Sequence, residues 1–273
     1  MRGAEAVPDA SSVDKNEFHL FNPTPTKYLR DFATDRPDKT ESPYTVDAGH
    51  LQLELDLVSY TLDREKVGGV SQRMEAWAIA PINIKVGLCN RLDAQFVFQS
   101  FNYVEERTGQ TRSIHRGYGD TLIRLKYNVW GNDAGSTAFA AIPYVKFPTS
   151  QDDLGNHNVE GGLILPLAVQ LPAGFGLGLM TQFDVARDEV GQGNHAEFVN
   201  TITVGHDIVG KLAGYVEFFS AVSAERESPW VGTFDFGFTY GLRNNIQLDA
   251  GLNLGVTKSA PDWNPFLGIS WHF

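Results

Sequence analysis

Charged residues recur on one side of an otherwise apolar alternation, and they are the groups in this chain with chemistry to offer. Glu54 and Asp56 interleave with Leu53, Leu55 and Leu57; Lys85 lies between Ile84 and Val86; Asp93 precedes Ala94; Arg124 and Lys126 alternate with Ile123, Leu125 and Tyr127. Glu217 sits between Val216 and Phe218, Asp235 between Phe234 and Phe236, and Asp249 between Leu248 and Ala250. A side-chain period of two sends each charge to the face opposite its apolar neighbours. Carboxylates and cations gathered on one enclosed face must pair, because a lone charge out of water is costly. Two outcomes are open: pairs that hold a shape and close the interior, or a polar pathway whose acidic excess favours cations and neutral polar solutes over anions.

Catalysis is harder to build from these residues. A nucleophilic serine needs a histidine within hydrogen-bond reach; His206 and His272 fall near turns and the terminus, and His115, His157 and His195 fall in loops without a strand-borne serine beside them. No enzyme is expected, a barrel lipid hydrolase being the least favoured alternative. The loop histidines, with Asp152, Asp153 and Asp188 near them in sequence, lack ligand-like spacing and read as solvated, so neither metal nor cofactor is expected. The lone Cys89 excludes an internal disulfide and a cysteine-based zinc site, and no phosphate-binding glycine loop is present. A formal charge of -11 with no basic face excludes nucleic acid as a partner.

The elements that position the charges are strands. The alternation runs through about twelve segments: one from Leu51; one ending in Ile82, Ile84 and Val86; one with Ala94, Phe96 and Phe98; one with Ile123 to Val129; then about 137–147, 160–171, 177–184, 196–204, 215–218, 233–240, 246–255 and 266–273. The fifth, sixth and eighth leave their facing ambiguous. Connections alternate short, at about 88–91, 131–135, 172–174, 207–210 and 242–245, with long polar stretches such as REKVGGVSQR, VEERTGQTRSIHRG, TSQDDLGNHN and RDEVGQGNH. Sorting of loop length by end, ten-residue strands and an even count that brings both termini to the short-turn end describe an antiparallel up-and-down transmembrane β-barrel with outward aromatics. A mean hydropathy of -0.21 is compatible with this, since only alternate residues meet lipid. No apolar run reaches the roughly 18 to 20 residues of a membrane helix.

Residues 1–48 have no period and carry Pro8, Pro23, Pro25, Pro37 and Pro43, which predicts an irregular periplasmic arm or plug ahead of a barrel over 49–273. The first dozen residues lack the apolar core of a secretory signal, so an exported protein would have had its signal removed. Within the arm, the stretch ATDRPDKTESPYTVDAGH resembles the outer-membrane transporters grouped as the MetA-pathway of phenol degradation family, whose members open with a similar TDRPD-x-TESP-x-TV segment; GYGD at 117–120, KFPT at 146–149 and NPFLGISWHF at the end also look like that family. The closing Phe273 resembles the terminal signal of outer-membrane barrels.

The resemblance implies a barrel in the bacterial outer membrane, with the lipid bilayer or detergent around it; a monomer is expected, inserted by the barrel assembly machinery through its C-terminal strand. The resemblance further implies passage of small molecules, aromatic or hydrophobic ones among them; the alternative is a closed structural or adhesive barrel working through its external loops. Asp35, Arg36, Asp38 and Glu41 are then plug candidates, and Thr34 to Tyr44 is expected to pack in the periplasmic mouth with Arg36 against a lumen carboxylate such as Asp249 or Glu217.

Overall fold

A computed structural model describes residues 14–188 and 193–273. The first residues, read above for a signal, and the centre of the RDEVGQGNH loop lie outside the described residues. Among the described residues, fifteen antiparallel strands follow the arm, which is described from Asp14 onward. They are β1 (Leu51–Val67), β2 (Val70–Ile79), β3 (Ile82–Cys89), β4 (Leu92–Phe98), β5 (Phe101–Thr108), β6 (Thr111–Gly117), β7 (Thr121–Trp130) and β8 (Thr137–Phe147). The chain continues through β9 (Glu160–Gln170), β10 (Phe175–Arg187), β11 (Asn194–Val209), β12 (Leu212–Ser223), β13 (Val231–Arg243), β14 (Ile246–Gly255) and β15 (Trp263–His272).

Pairing of β15 with β1, from Gln52 opposite His272 to Leu62 opposite Trp263, closes the sheet. The wall has twelve staves, because β2 with β3, β4 with β5, and β6 with β7 are single staves interrupted in the middle. The interruptions lie on neighbouring staves: a bulge between Asp56 and Val58, then Ala80 and Pro81, then Gln99 and Ser100, then Tyr118 to Asp120. Pro81 has no N–H to give the ladder and Ala80 adopts a positive φ of 53°, so the pairing breaks there and resumes beyond.

Two stretches expected as long polar loops are instead strand. REKVGGVSQR forms the end of a hairpin in which Val67 pairs with Val70 across Gly68 and Gly69, and VEERTGQTRSIHRG forms a second hairpin in which Thr108 pairs with Thr111. Both are polar on each face because they rise beyond the lipid, so the apolar half of the alternation is missing while the pairing persists.

The alternation sorts side chains as a membrane barrel requires. Phe96, Ile123, Leu125, Phe183, Phe198, Ile202, Phe234 and Phe238 are exposed on the outside, while Glu54, Lys85, Asp93, Lys126, Glu217, Asp235 and Asp249 are buried inside. Paired rings mark both edges of the apolar belt: Trp130 stacks on Phe139 at 4.8 Å and Trp271 on Phe273 at 4.4 Å by the short turns, and Tyr60 meets Trp77 at a tilt at 4.6 Å at the far edge.

The three ambiguous strands resolve through an apolar cluster inside the barrel. Ile142 of β8, Ile164 of β9, Met180 of β10 and Val199 of β11 pack together, with Tyr144, Phe219 and Ala221 against them. The lumen is therefore lined by charge where the arm lies and by hydrocarbon over the middle of β8 to β11, with Lys146, Glu160 and Asp184 farther along the same inner face. Each fully buried aliphatic there contributes about 1.5 to 3 kcal/mol.

A cation introduced on the lipid face separates the two faces experimentally. Phe236→Arg should cost about 2 to 4 kcal/mol near the bilayer midplane and impair assembly, Leu53→Arg less because it stands opposite Trp271 at the belt's edge, and Gln52→Arg, inside the barrel, should be milder than Phe236→Arg. Heat-modifiable gel mobility reads the outcome; survival of the outward variants with loss of the inward one would invert the facing.

Candidate functional site

The arm runs into the barrel from the short-turn end. Leu20 N donates to Leu88 O at 2.9 Å and His19 bridges to Cys89, which fixes the arm beneath the first turn; residues 30–47 then run among the inward side chains.

Arg36 enters a row of three inward positions on adjacent strands, Asp56, Gly268 and Asp249, which the strand register places side by side. Its Nη1 lies 2.6 Å from Asp56 Oδ1, its Nη2 donates to Asp249 Oδ1 at 2.6 Å and its Nε to Asp249 Oδ2 at 3.2 Å. The planar guanidinium matches this two-pronged carboxylate geometry. A Cβ at position 268 would lie 2.2 Å from Arg36 Nη2, so the central position of the row has to be glycine for the guanidinium to sit against the wall. The guanidinium also faces the Phe266 ring at 5.6 Å.

Asp35 takes the opposite wall. Its carboxylate bridges Lys85 and Lys126, the latter at 2.6 Å, and its Oδ1 accepts from Ser42 N at 3.0 Å while Glu54 accepts from its backbone N–H at 3.1 Å. Glu54 also pairs with Lys85. Asp93 stands opposite Lys126 across β4 and β7 and accepts from Val46 N at 3.0 Å. Glu41 receives Arg124 Nη1 at 2.5 Å. Asp38 lines the cavity described below.

Glu217 and Asp235 face each other directly across β12 and β13, a like-charged pair that would be destabilising alone. The arm resolves it. Lys39 Nζ lies 2.9 Å from Asp235, Lys39 N donates to Glu217 at 2.8 Å, and Thr40 Oγ1 donates to Glu217 at 2.6 Å.

Every lumen candidate is thus on the inner face, and Glu54, Asp56, Lys85, Arg124, Lys126, Glu217, Asp235 and Asp249 each meet the arm through a side-chain group.

A second cluster, absent from the sequence reading, clamps the arm at the short-turn end. Lys15 and Arg30 both reach Asp133, at 2.9 Å each, and Asp47, at 3.3 and 3.4 Å; Arg30 also donates to Thr45 O and Asn90 O. Burial pushes the Asp133 carboxyl up, but Arg30 and Lys15 outweigh it and hold it below the ordinary carboxylate range, so the clamp is charged at neutral pH. Lys39, Arg30 and Asp133 were missed because a charge in aperiodic sequence gives no facing signal.

Between the arm and the staves β9 to β13 lies a cavity of about 430 Å3, opening toward the short-turn end. Pro37, Thr40, Pro43 and Tyr44 of the arm form one side, and Ala168, Gly176, Gly178 and Gly205 of the wall form the other. A Cβ at Gly176 would meet nothing within 4 Å, so the glycine there leaves open space.

Of the three histidines expected in external loops, only His157 is in one, His115 lying in β6 and His195 at the start of β11, and all three find carboxylate or carbonyl partners. His115 Nδ1 contacts Asp152 O at 2.8 Å and His157 Nε2 contacts Asp153 at 2.9 Å. His195 Nδ1 lies 3.0 Å from Asp188 and 3.8 Å from Glu225. Glu225 comes from a different loop, so sequence spacing could not join the two.

The profile of the family described as "Putative MetA-pathway of phenol degradation" matches residues 34–273. No curated protein matches the chain. Among solved structures the chain is similar to an outer membrane channel from Pseudomonas putida F1, with a TM-score of 0.59 and 13% identity over 88% of this chain and 100% of that one. It is also similar to the translocator domain of the autotransporter NalP from Neisseria meningitidis, with a TM-score of 0.55 and 10% identity over 82% of this chain and 88% of that one. A third similarity is to the NanC porin, with a TM-score of 0.50 and 10% identity over 81% and 98%. The shared architecture is the outer-membrane β-barrel.

Proposed function

The chain belongs to the MetA-pathway of phenol degradation family, and from that premise we propose that it is a passive, non-enzymatic channel of the bacterial outer membrane whose N-terminal arm is a lumen constriction. The barrel acts as a monomer and passes small molecules, aromatic or otherwise apolar ones among them. The observation that carries this reading is the cavity of about 430 Å3 beside the arm, whose size suits a small organic solute. Its walls offer such a solute apolar surface beside a few polar groups: Pro37, Pro43 and Tyr44 of the arm face Leu167, Ala168, Leu177 and Ala213 of the staves, with Asp38 and Glu41 at the side. Cations on the other side of the arm meet a wall whose carboxylates are already paired.

Planar-bilayer recording distinguishes this channel from a closed adhesive barrel, a reading favoured by the two hairpins that rise beyond the lipid. Discrete conductance steps support the channel; their absence at every voltage sinks it.

Narrowing the cavity should reduce passage without touching the arm's anchors. Gly176→Phe fills open space on the inner wall, where the backbone accepts a side chain. Uptake of a small phenolic compound into proteoliposomes should fall severalfold while the melting temperature stays put. Unchanged uptake would place the route elsewhere in the lumen.

A further inference from the structure

We propose that Asp188, His195 and Glu225 form a site for a divalent first-row transition cation at the external rim of the barrel, joining two loops that the sequence keeps apart. The proposal is independent of what passes through the lumen.

The three donor atoms, an imidazole Nδ1 and two carboxylate oxygens, lie within 4.8 Å of one another. An ion with bonds of about 2.0 to 2.2 Å to nitrogen and oxygen spans donors up to about 4.4 Å apart, so the three close on an ion with shifts of a few tenths of an ångström. One imidazole with two carboxylates is a donor set for zinc, manganese or iron rather than for calcium or magnesium, which take oxygen alone.

Backbone pairing, not loop chance, sets the positions. Asp188 N donates to Gly193 O at 3.2 Å, which closes the neck of the β10–β11 loop, and Ala224 N donates to Ala196 O at 2.8 Å, which brings Glu225 beside His195. A Cβ at position 193 would lie 2.2 Å from Asp188 Oδ2, so Gly193 makes the space in which the carboxylate turns toward the imidazole. The His195 ring is 10% exposed, and the two carboxylates are 24% and 19% exposed. This is a held group rather than a free surface side chain.

A water-accessible cavity of about 550 Å3 lies over the three residues and is lined further by Glu160, Glu197 and Asn156. It leaves room for the water ligands that complete the coordination of an exchangeable ion. Two cations of the protein compete with a metal: Arg187, which lines the same cavity, and a protonated His195, which would bridge the same two acids without any metal.

Titration of the detergent-purified full chain with zinc chloride against a chromophoric chelator decides between them. One tightly held equivalent per chain is expected, with affinity lowered by roughly tenfold or more in His195→Ala and in Glu225→Gln, since even the outer partners of a metal ligand are worth about 10- to 100-fold. His115→Ala should bind as the parent does. A zinc-dependent rise in melting temperature, lost in Glu225→Gln, provides a second reading should His195→Ala fold poorly. No stoichiometric binding, or binding indifferent to both substitutions, would overturn the site and leave Arg187 or the protonated bridge.

Discussion

Replacing Arg36 by alanine is expected to lower the melting temperature of the refolded barrel by about 6 to 20 °C, the largest effect of any single arm substitution. Arg36 is the shared partner of Asp56 and Asp249, and Asp249 is 2% exposed. Removing one member of a buried ion pair costs about 3 to 5 kcal/mol, because the other charge is left without compensation, and each kcal/mol moves the midpoint by about 2 to 4 °C at this chain length. Arg36→Lys should recover only part of the loss, since an ammonium cannot hold both carboxylates through a planar fork. A melting temperature within a degree of the parent would mean that the carboxylates find other partners and that Arg36 is no anchor.

Asp35→Ala should rank next, for the mirror-image reason. Lys126 is 0% exposed and Lys85 2% exposed, and Asp35 is the carboxylate that bridges both. Lys85 keeps Glu54, but Lys126 loses its direct partner in a place where an ammonium cannot be rehydrated. A cost of about 3 to 5 kcal/mol follows, and a second substitution, Lys126→Met, should return a good part of it by removing the stranded charge while keeping the packed stem. A double variant no better than Asp35→Ala alone would show that the loss comes from the backbone of the arm, through the Ser42 contact, and not from the charge.

Strand count, facing and loop sorting were legible because a strand that separates lipid from lumen has to alternate, and Phe234, Asp235 and Phe236 carry that alternation in three letters. The alternation failed where its cause is absent. Beyond the lipid, Arg64 to Arg73 are polar on both faces and read as loop although they pair. On β8 and β9 both faces are largely apolar, so Ile142 and Ile164 gave no facing until the inner cluster was seen.

The candidate site was legible by side and not by partner. Period two assigns Glu217 and Asp235 to the same face, but it does not say that they stand opposite each other, or that Lys39 and Thr40 lie between them. Arg36 finds Asp249 through a register that brings Asp56, Gly268 and Asp249 into one row, with more than two hundred residues of sequence between Asp56 and Gly268. The metal-like grouping at the rim is of the same kind, assembled by tertiary pairing from residues with no spacing in common.

Single-channel recording of the full chain against a chain lacking residues 1–44, both refolded into planar bilayers, tests most directly whether the arm constricts the lumen. The truncated barrel should show a conductance several times that of the parent, together with a lower melting temperature, because the ion pairs of Arg36, Lys39, Glu41 and Asp35 all leave with the arm. Equal conductance and equal melting temperature would show a tail that neither fills nor supports the barrel.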